Sequence, residues 1–197
     1  ILRDREAGTS RIVSLRSDGS PATGASRPAI SADGRFVAFM SADAAIVAGD
    51  TNALQDVFVI DTQTNAVERV SVNDDDSEAA ALVLAAVPPV LSTDGALVAY
   101  LGRGVTTSSG ATMGANSVIV RDRAAGATLQ RSPGGGSVRG FAMTPSGRFV
   151  LYTTQSTPVF DDGGSYTTDV FRFDAVAAAT VHVSTGSGMQ LGSGSCG

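Results

Sequence analysis

The sequence has no lysine and no tryptophan, a single histidine and a single cysteine, and aromatic side chains at only 6% of its 197 positions. Each scarcity excludes something. A lone cysteine, Cys196, cannot close an internal disulfide, so cysteine usage leaves the compartment open. One histidine and one cysteine exclude zinc sites built on clusters of those residues. A Ser-His-Asp arrangement would have one possible base, His182, and no G-x-S-x-G elbow accompanies it. Charged residues make up 17% of the chain and the net charge is −5, with pI near 4.7. Nucleic-acid binding wants a basic face, and this balance argues against it. No apolar run approaches the ~18 residues of a membrane-spanning helix. The longest, Ala79 to Leu91, contains Pro88 and Pro89 and reads as a loop entering a strand. No secretory leader is visible, and the chain opens on Ile1 rather than Met, consistent with a natural N-terminus further upstream.

What remains is a globular composition, 43% hydrophobic and rich in Ala, Gly, Ser, Thr and Val, and it is organised as an internal repeat. Ile30-Ser-Ala-Asp-Gly-Arg-Phe-Val-Ala-Phe39 aligns without a gap to Leu91-Ser-Thr-Asp-Gly-Ala-Leu-Val-Ala-Tyr100 and to Met143-Thr-Pro-Ser-Gly-Arg-Phe-Val-Leu-Tyr152. Downstream, Asp56-Val-Phe-Val-Ile-Asp61 aligns to Ser117-Val-Ile-Val-Arg-Asp122 and to Asp169-Val-Phe-Arg-Phe-Asp174. Gly34 to Ser71, Gly95 to Ser132 and Gly147 to Ser184 are each 37 positions, whereas the links between units vary. Fixed bodies joined by variable links are how a structural repeat behaves, because insertions are tolerated in loops off the packed body.

Within each unit the short β-branched and aromatic runs are bounded by Gly, Asp, Ser and Asn, which predicts strands. Asp33-Gly34, Asp94-Gly95 and Ser146-Gly147 are hairpin signals. No stretch holds a helical apolar stripe for three turns. The fold class expected is therefore all-β: four-stranded antiparallel meanders, the blades of a propeller, numbering about three and a half. The expected divisions are a half blade at residues 1–15, blades at about 27–72, 87–132 and 138–184, and a flexible Gly/Ser tail at 185–197 that carries Cys196.

The pattern Pro28-Ala-Ile-Ser-Ala-Asp-Gly-Arg-Phe-Val-Ala-Phe39, then Asp50-Thr-Asn52, Asp56-Val-Phe-Val-Ile-Asp61 and Arg69-Val-Ser71, resembles the TolB/PD40 family of WD40-like bacterial propeller repeats. The resemblance covers about residues 1–184. It weakens where Ser117 replaces the aspartate and where Pro145-Ser146 replaces the acidic turn. It implies a periplasmic or secreted, non-enzymatic scaffold that binds a protein partner or assembles structurally, without a cofactor. A second implication is the accessory propeller of a serine peptidase-like enzyme.

Residues 1–15 copy the second half of a unit: Asp4 to Ser14 spans 10 positions, as do Asp61 to Ser71, Asp122 to Ser132 and Asp174 to Ser184. A half blade leaves strand edges open. Three completions are consistent with this: a longer parent protein, self-association or strand donation by a partner, and return of the tail to pair with residues 1–15.

Oxygen-rich loops are the remaining chemical candidates. Asp50, Asn52 and Asp56 in one unit, and Asp161, Asp162 and Asp169 in another, present acidic or amide oxygens of the kind calcium takes, in which case the repeat would be calcium-stabilised and would polymerise. The alternative is that these side chains cap turns by accepting from backbone amides. Asp4, Asp61, Asp122 and Asp174 recur once per unit and read as turn stabilisers. Asp74, Asp75, Asp76 and Glu78 read as a solvated loop or an acidic rim. Arg121, Arg123, Arg131 and Arg139 are too sparse for a phosphate site. His182, aligned with Arg69 and Gln130, is expected on a solvent-facing strand position.

Overall fold

The computed structural model describes residues 1–80, 82–83, 87–132, 137–155 and 168–184. Among the described residues every regular element is a strand, which bears out the all-β expectation. A two-stranded ribbon comes first, β1 (Leu2–Arg3) with β2 (Ser10–Arg11). Blade 1 is the antiparallel sheet β3 (Ser26–Ile30), β4 (Phe36–Ser41), β5 (Asp56–Asp61) and β6 (Val67–Arg69), in chain order.

Blade 2 has β7 (Leu82–Val83) and β8 (Val90–Leu91), both paired to β9 (Leu97–Arg103), followed by β10 (Ser117–Asp122) and β11 (Ala127–Gln130). Its innermost strand is thus split, and Pro88 and Pro89, which have no N–H to donate, stand immediately before β8. Blade 3 is regular, with β12 (Ser137–Met143), β13 (Phe149–Gln155), β14 (Thr168–Asp174) and β15 (Ala179–His182).

The continuous apolar runs have a simple cause: the central strands of blades 1 and 2 are buried on both faces. In β4, Val37 and Phe39 pack toward the β1–β2 ribbon with Val13, Phe58 and Ile60, while Ala38 and Met40 pack toward blade 2. In β9, Val98 and Tyr100 face blade 1, and Ala99 and Leu101 face blade 3 with Val150, Tyr152 and Phe173. Cores therefore lie between sheets, and a blade has none of its own. Burying a side chain the size of Phe58, which is fully enclosed, contributes about 2–3 kcal/mol. Each seam holds at least six such apolar residues.

The turn glycines set how closely blades approach. Gly95 (φ +68°) lies against the Phe36 ring of blade 1, so a Cβ there would come within 2.4 Å of a ring carbon. Gly147 (φ +71°) receives Leu97 of blade 2 in the same way, at 2.1 Å. Gly34 has a similar φ (+74°) and nothing within 4 Å, since no inner strands stand before blade 1 among the described residues.

These three glycines give a controlled comparison. Gly34→Ala should cost about 1–2 kcal/mol, the strain of a left-handed backbone alone. Gly95→Ala should cost a further ~1–3 kcal/mol from overpacking against Phe36. Urea midpoints of the two variants check this, and equal losses would mean that the seam yields freely at Gly95.

Candidate functional site

Each blade ends in a polar node assembled from three repeat positions: the first residue of the third strand or its neighbour, a residue of the fourth strand, and the closing serine. In blade 1, Ser71 Oγ donates to Asp56 Oδ1 at 2.5 Å and accepts from Val57 N at 2.9 Å. In blade 2, Ser132 Oγ accepts from Val118 N at 2.8 Å, and Gln130 Nε2 donates to Ser117 Oγ at 3.4 Å and to the Ser132 carbonyl at 3.1 Å. In blade 3, Ser184 Oγ accepts from Val170 N at 2.9 Å and donates to Asp169 Oδ1 at 3.4 Å. The serine replaces a main-chain partner just where the outer strand peels away, so a buried amide stays satisfied.

His182 belongs to this series and is not the solvent-facing residue expected from the sequence. Its side chain is 20% exposed, stacks on Phe171 at 4.9 Å, and meets Asp169 Oδ1 at 3.2 Å and Ser184 Oγ at 3.1 Å. Position 182 pairs with Phe171 across the sheet, as Arg69 pairs with Phe58 and Gln130 with Ile119, so all three point toward the preceding blade rather than to solvent. The cluster holds Ser, His and Asp, yet acid and hydroxyl both approach the same ring nitrogen, Nε2. A nucleophilic triad needs the acid on one nitrogen and the hydroxyl on the other. The contacts that are seen join β14, β15 and the closing serine.

The calcium expectation meets a different geometry in blade 1. Asp50 and Asp56 do come together, around the guanidinium of Arg69: Nη1 lies 2.8 Å from Glu78 Oε1, 3.3 Å from Asp50 Oδ1 and 3.6 Å from Asp56 Oδ2. Asn52 is spent on main-chain groups, its Oδ1 accepting from Leu54 N in its own loop and its Nδ2 donating to the Ala79 carbonyl in the link to blade 2. Asp169 is taken up by His182 and Ser184, and Asp161 and Asp162 lie outside the described residues. Among the described residues no three acids, histidines or cysteines are grouped as a metal ion requires. The sequence offered one clue to Arg69: its repeat position is polar in all three units. Glu78 and Tyr100 had no such marker.

Burial pushes the Asp56 carboxyl up to about 6, against the opposing pull of Ser71 and Arg69. Asp50 is likewise raised by burial. Glu78 moves the other way, to about 2, because the Thr51 hydroxyl and amide, and then Arg69, favour its charged form.

The recurrent aspartates act as turn stabilisers. Asp4 accepts from Glu6 and Ala7 amides, Asp61 from Gln63, Asp122 from Ala124 and Ala125, and Asp174 from Val176 and Ala177. The acidic run is in part the solvated loop expected, since Asp75 and Asp76 are exposed. It also makes contacts the sequence did not mark: Asp74 Oδ1 accepts from Thr128 N at 2.7 Å, and Asp76 pairs with the buried Arg121. These contacts dock the link after blade 1 onto blade 2. Arg123 and Arg131 are seam residues too. Arg123 bonds Glu68 and the Gly95 carbonyl and sits 4.4 Å above the Phe36 ring, and Arg131 lies over Phe173.

A concave groove of about 320 Å³ lies on the side of blade 1 beside the β1–β2 ribbon. Leu2, Val13, Ile30, Val37 and Phe39 line it, and Ile30 is 52% exposed. The ribbon matches the third and fourth strands of a blade, so the groove lies where the first and second strands would pack. At the opposite end blade 3 leaves Leu151, Val181 and Val183 exposed.

A testable consequence concerns the node serines. Ser71→Ala strands the Val57 amide and removes a donor from Asp56, and should cost about 1–3 kcal/mol. Ser184→Ala, in a less buried node, should cost less. Denaturant titration of both variants decides it, and the reverse order would remove the serine from its fastening role.

No family model and no curated protein matches the sequence. Solved structures do. TolB from Acinetobacter baumannii superposes with a TM-score of 0.52 at 16% identity, over 92% of this chain and 36% of that one. The tricorn protease superposes with a TM-score of 0.53 at 11% identity, over 91% of this chain and 20% of that one. The chain thus spans about a third of the one and a fifth of the other. At identities this low the likeness is one of fold, and the fold is a β-propeller.

Proposed function

We propose that this chain is a non-enzymatic, extracytoplasmic propeller scaffold that binds a protein through its open blade faces. The observation that carries this reading is the apolar groove beside the β1–β2 ribbon, together with the outward edge of β1, which pairs only with β2 among the described residues. Extended segments bind such edges by main-chain hydrogen bonding, and pockets for alternate side chains supply selectivity. The partner chemistry that fits is a pair of antiparallel strands with small or β-branched apolar side chains, the kind that fills the equivalent space between blades 1 and 2. Placement outside the cytoplasm rests on the resemblance to TolB-like repeats.

A second reading, the propeller portion of a larger peptidase, is supported by the superposition on the tricorn protease. A serine nucleophile elbow encoded in the same gene would favour it.

The scaffold reading is tested with a synthetic hairpin copying residues 137–155, the two inner strands of blade 3. Saturable binding by calorimetry is expected, together with loss of binding in Ile30→Glu, whose side chain is exposed enough to leave the fold intact. Absence of binding to the wild-type chain would remove the groove as a strand acceptor.

A further inference from the structure

The strongest feature outside the groove is the junction at one end of blade 1. There the loop after β4 brings Asp50, the start of β5 brings Asp56, β6 brings Arg69, and the link to blade 2 brings Glu78. Arg69 has one guanidinium for three carboxylates. With every acid ionised the junction carries an excess of two negative charges, although the side chains of Asp50 and Asp56 are only 1% exposed. Among the described residues, both carboxylate oxygens of Asp50, Oδ2 of Asp56, Nε of Arg69 and the hydroxyl of the fully enclosed Tyr100 find no hydrogen-bond partner. Buried ionised groups left in that state are costly, and the usual relief is a counter-charge or a proton.

The surrounding elements supply no second cation to the pair. Asp43, on the same loop as Asp50, is acidic and is itself paired to Arg16. Arg121 on β10 pairs with Asp76 and bonds Thr128. From β9 comes Tyr100, whose hydroxyl is held above its ordinary range by burial first and by the charge of Asp56 second. Glu78 keeps its charge, because the Thr51 amide and hydroxyl donate to it at 2.8 and 2.6 Å. Of these groups, Asp50 and Asp56 are the two whose burial favours the protonated form.

We propose that Asp50 and Asp56, gathered around Arg69, form a buried proton-binding site that tightens the junction of blade 1 with its link to blade 2 in mildly acidic surroundings and loosens it when both carboxylates ionise. The direction follows from Asp56, whose carboxyl is raised to about 6 from an ordinary 3.8. The folded chain then holds the proton more firmly than the unfolded chain does. Stability from this site is complete below the unfolded value and is lost as pH rises through about 6. Asp61 and Glu78, both lowered, act in the opposite sense on acidification. A bare melting curve sums these contributions, and a variant is needed to isolate one.

The decisive measurement pairs infrared spectroscopy with thermal unfolding. At about pH 5.5 the wild-type chain should show the carbonyl band of a protonated carboxylic acid, a pH at which ordinary carboxyls are ionised. Asp56→Asn should lose that band, and Asp50→Asn should weaken or shift it. The melting temperature of the wild type relative to Asp56→Asn should fall between about pH 4 and pH 6 and level off above that. Three results would overturn the proposal. One is the absence of a protonated-acid band at that pH. Another is a difference in melting temperature that does not change with pH. The third is a rise in the wild-type melting temperature on adding calcium at neutral pH that Asp56→Asn abolishes, which would make a metal ion the neutralising group.

Discussion

Everything in this molecule depends on sheets that are apolar on both faces. A strand such as Val57-Phe58-Val59-Ile60 has no polar side to turn toward water, so it is stable only with a second sheet on either hand. The cores consequently lie between blades, and cohesion along the chain is a matter of neighbour contacts, as in any stacked repeat. That arrangement also makes the two ends of the stack exceptional. Where a neighbour is missing, the surface that would have been core becomes the groove at Ile30 and Phe39 or the exposed Leu151 and Val181. Binding capacity and fold architecture are here two aspects of one constraint, since the surfaces open to a partner are built to receive a sheet.

Polar residues serve the same stacking. Phe36 on Gly95 and Leu97 on Gly147 set the approach of adjacent blades. Main-chain bonds from Ala32 to Thr93 and from Thr93 to Pro145 then run from one inner turn to the next. The Arg123–Glu68 and Arg121–Asp76 pairs close the outer side of the seam. The node serines keep the register of the third and fourth strands while the residue beside them varies from Arg69 to Gln130 to His182. The variation shows how a structural position acquires chemistry. Gln130 leaves its node neutral, His182 brings one titratable group beside one acid, and Arg69 has drawn in two further carboxylates from neighbouring loops. The Arg69 node carries more charge than it can compensate internally, and there burial competes openly with ionisation.

The limit on function has the same origin. Likeness to TolB and to the tricorn protease establishes how the sheets are arranged, and many unrelated activities are grafted on such arrangements. Within the described residues the clusters that look chemical at first, Ser-His-Asp in blade 3 and Asp-Asn-Asp in blade 1, are committed to holding strands and loops. The surfaces without such commitments are apolar and strand-shaped, and the proposed binding role rests on them.

The sequence by itself determined the strands, the turn glycines, the recurring aspartates and the propeller class. Each of these is local: short β-branched runs, left-handed turns and 37-residue spacing lie along the chain and need no partner to be read. Only the tertiary structure decided the fate of side chains whose partners lie far away in sequence. It folded Asp74 and Asp76 onto blade 2 and turned His182 inward against Phe171 and Asp169. It also placed Arg69 among Asp50, Asp56 and Glu78, where the spacing of the oxygens alone had suggested a cation of another kind. Charges are settled by whatever approaches them in space, and a repeat alignment, which compares each unit with itself, carries no record of what the next unit brings.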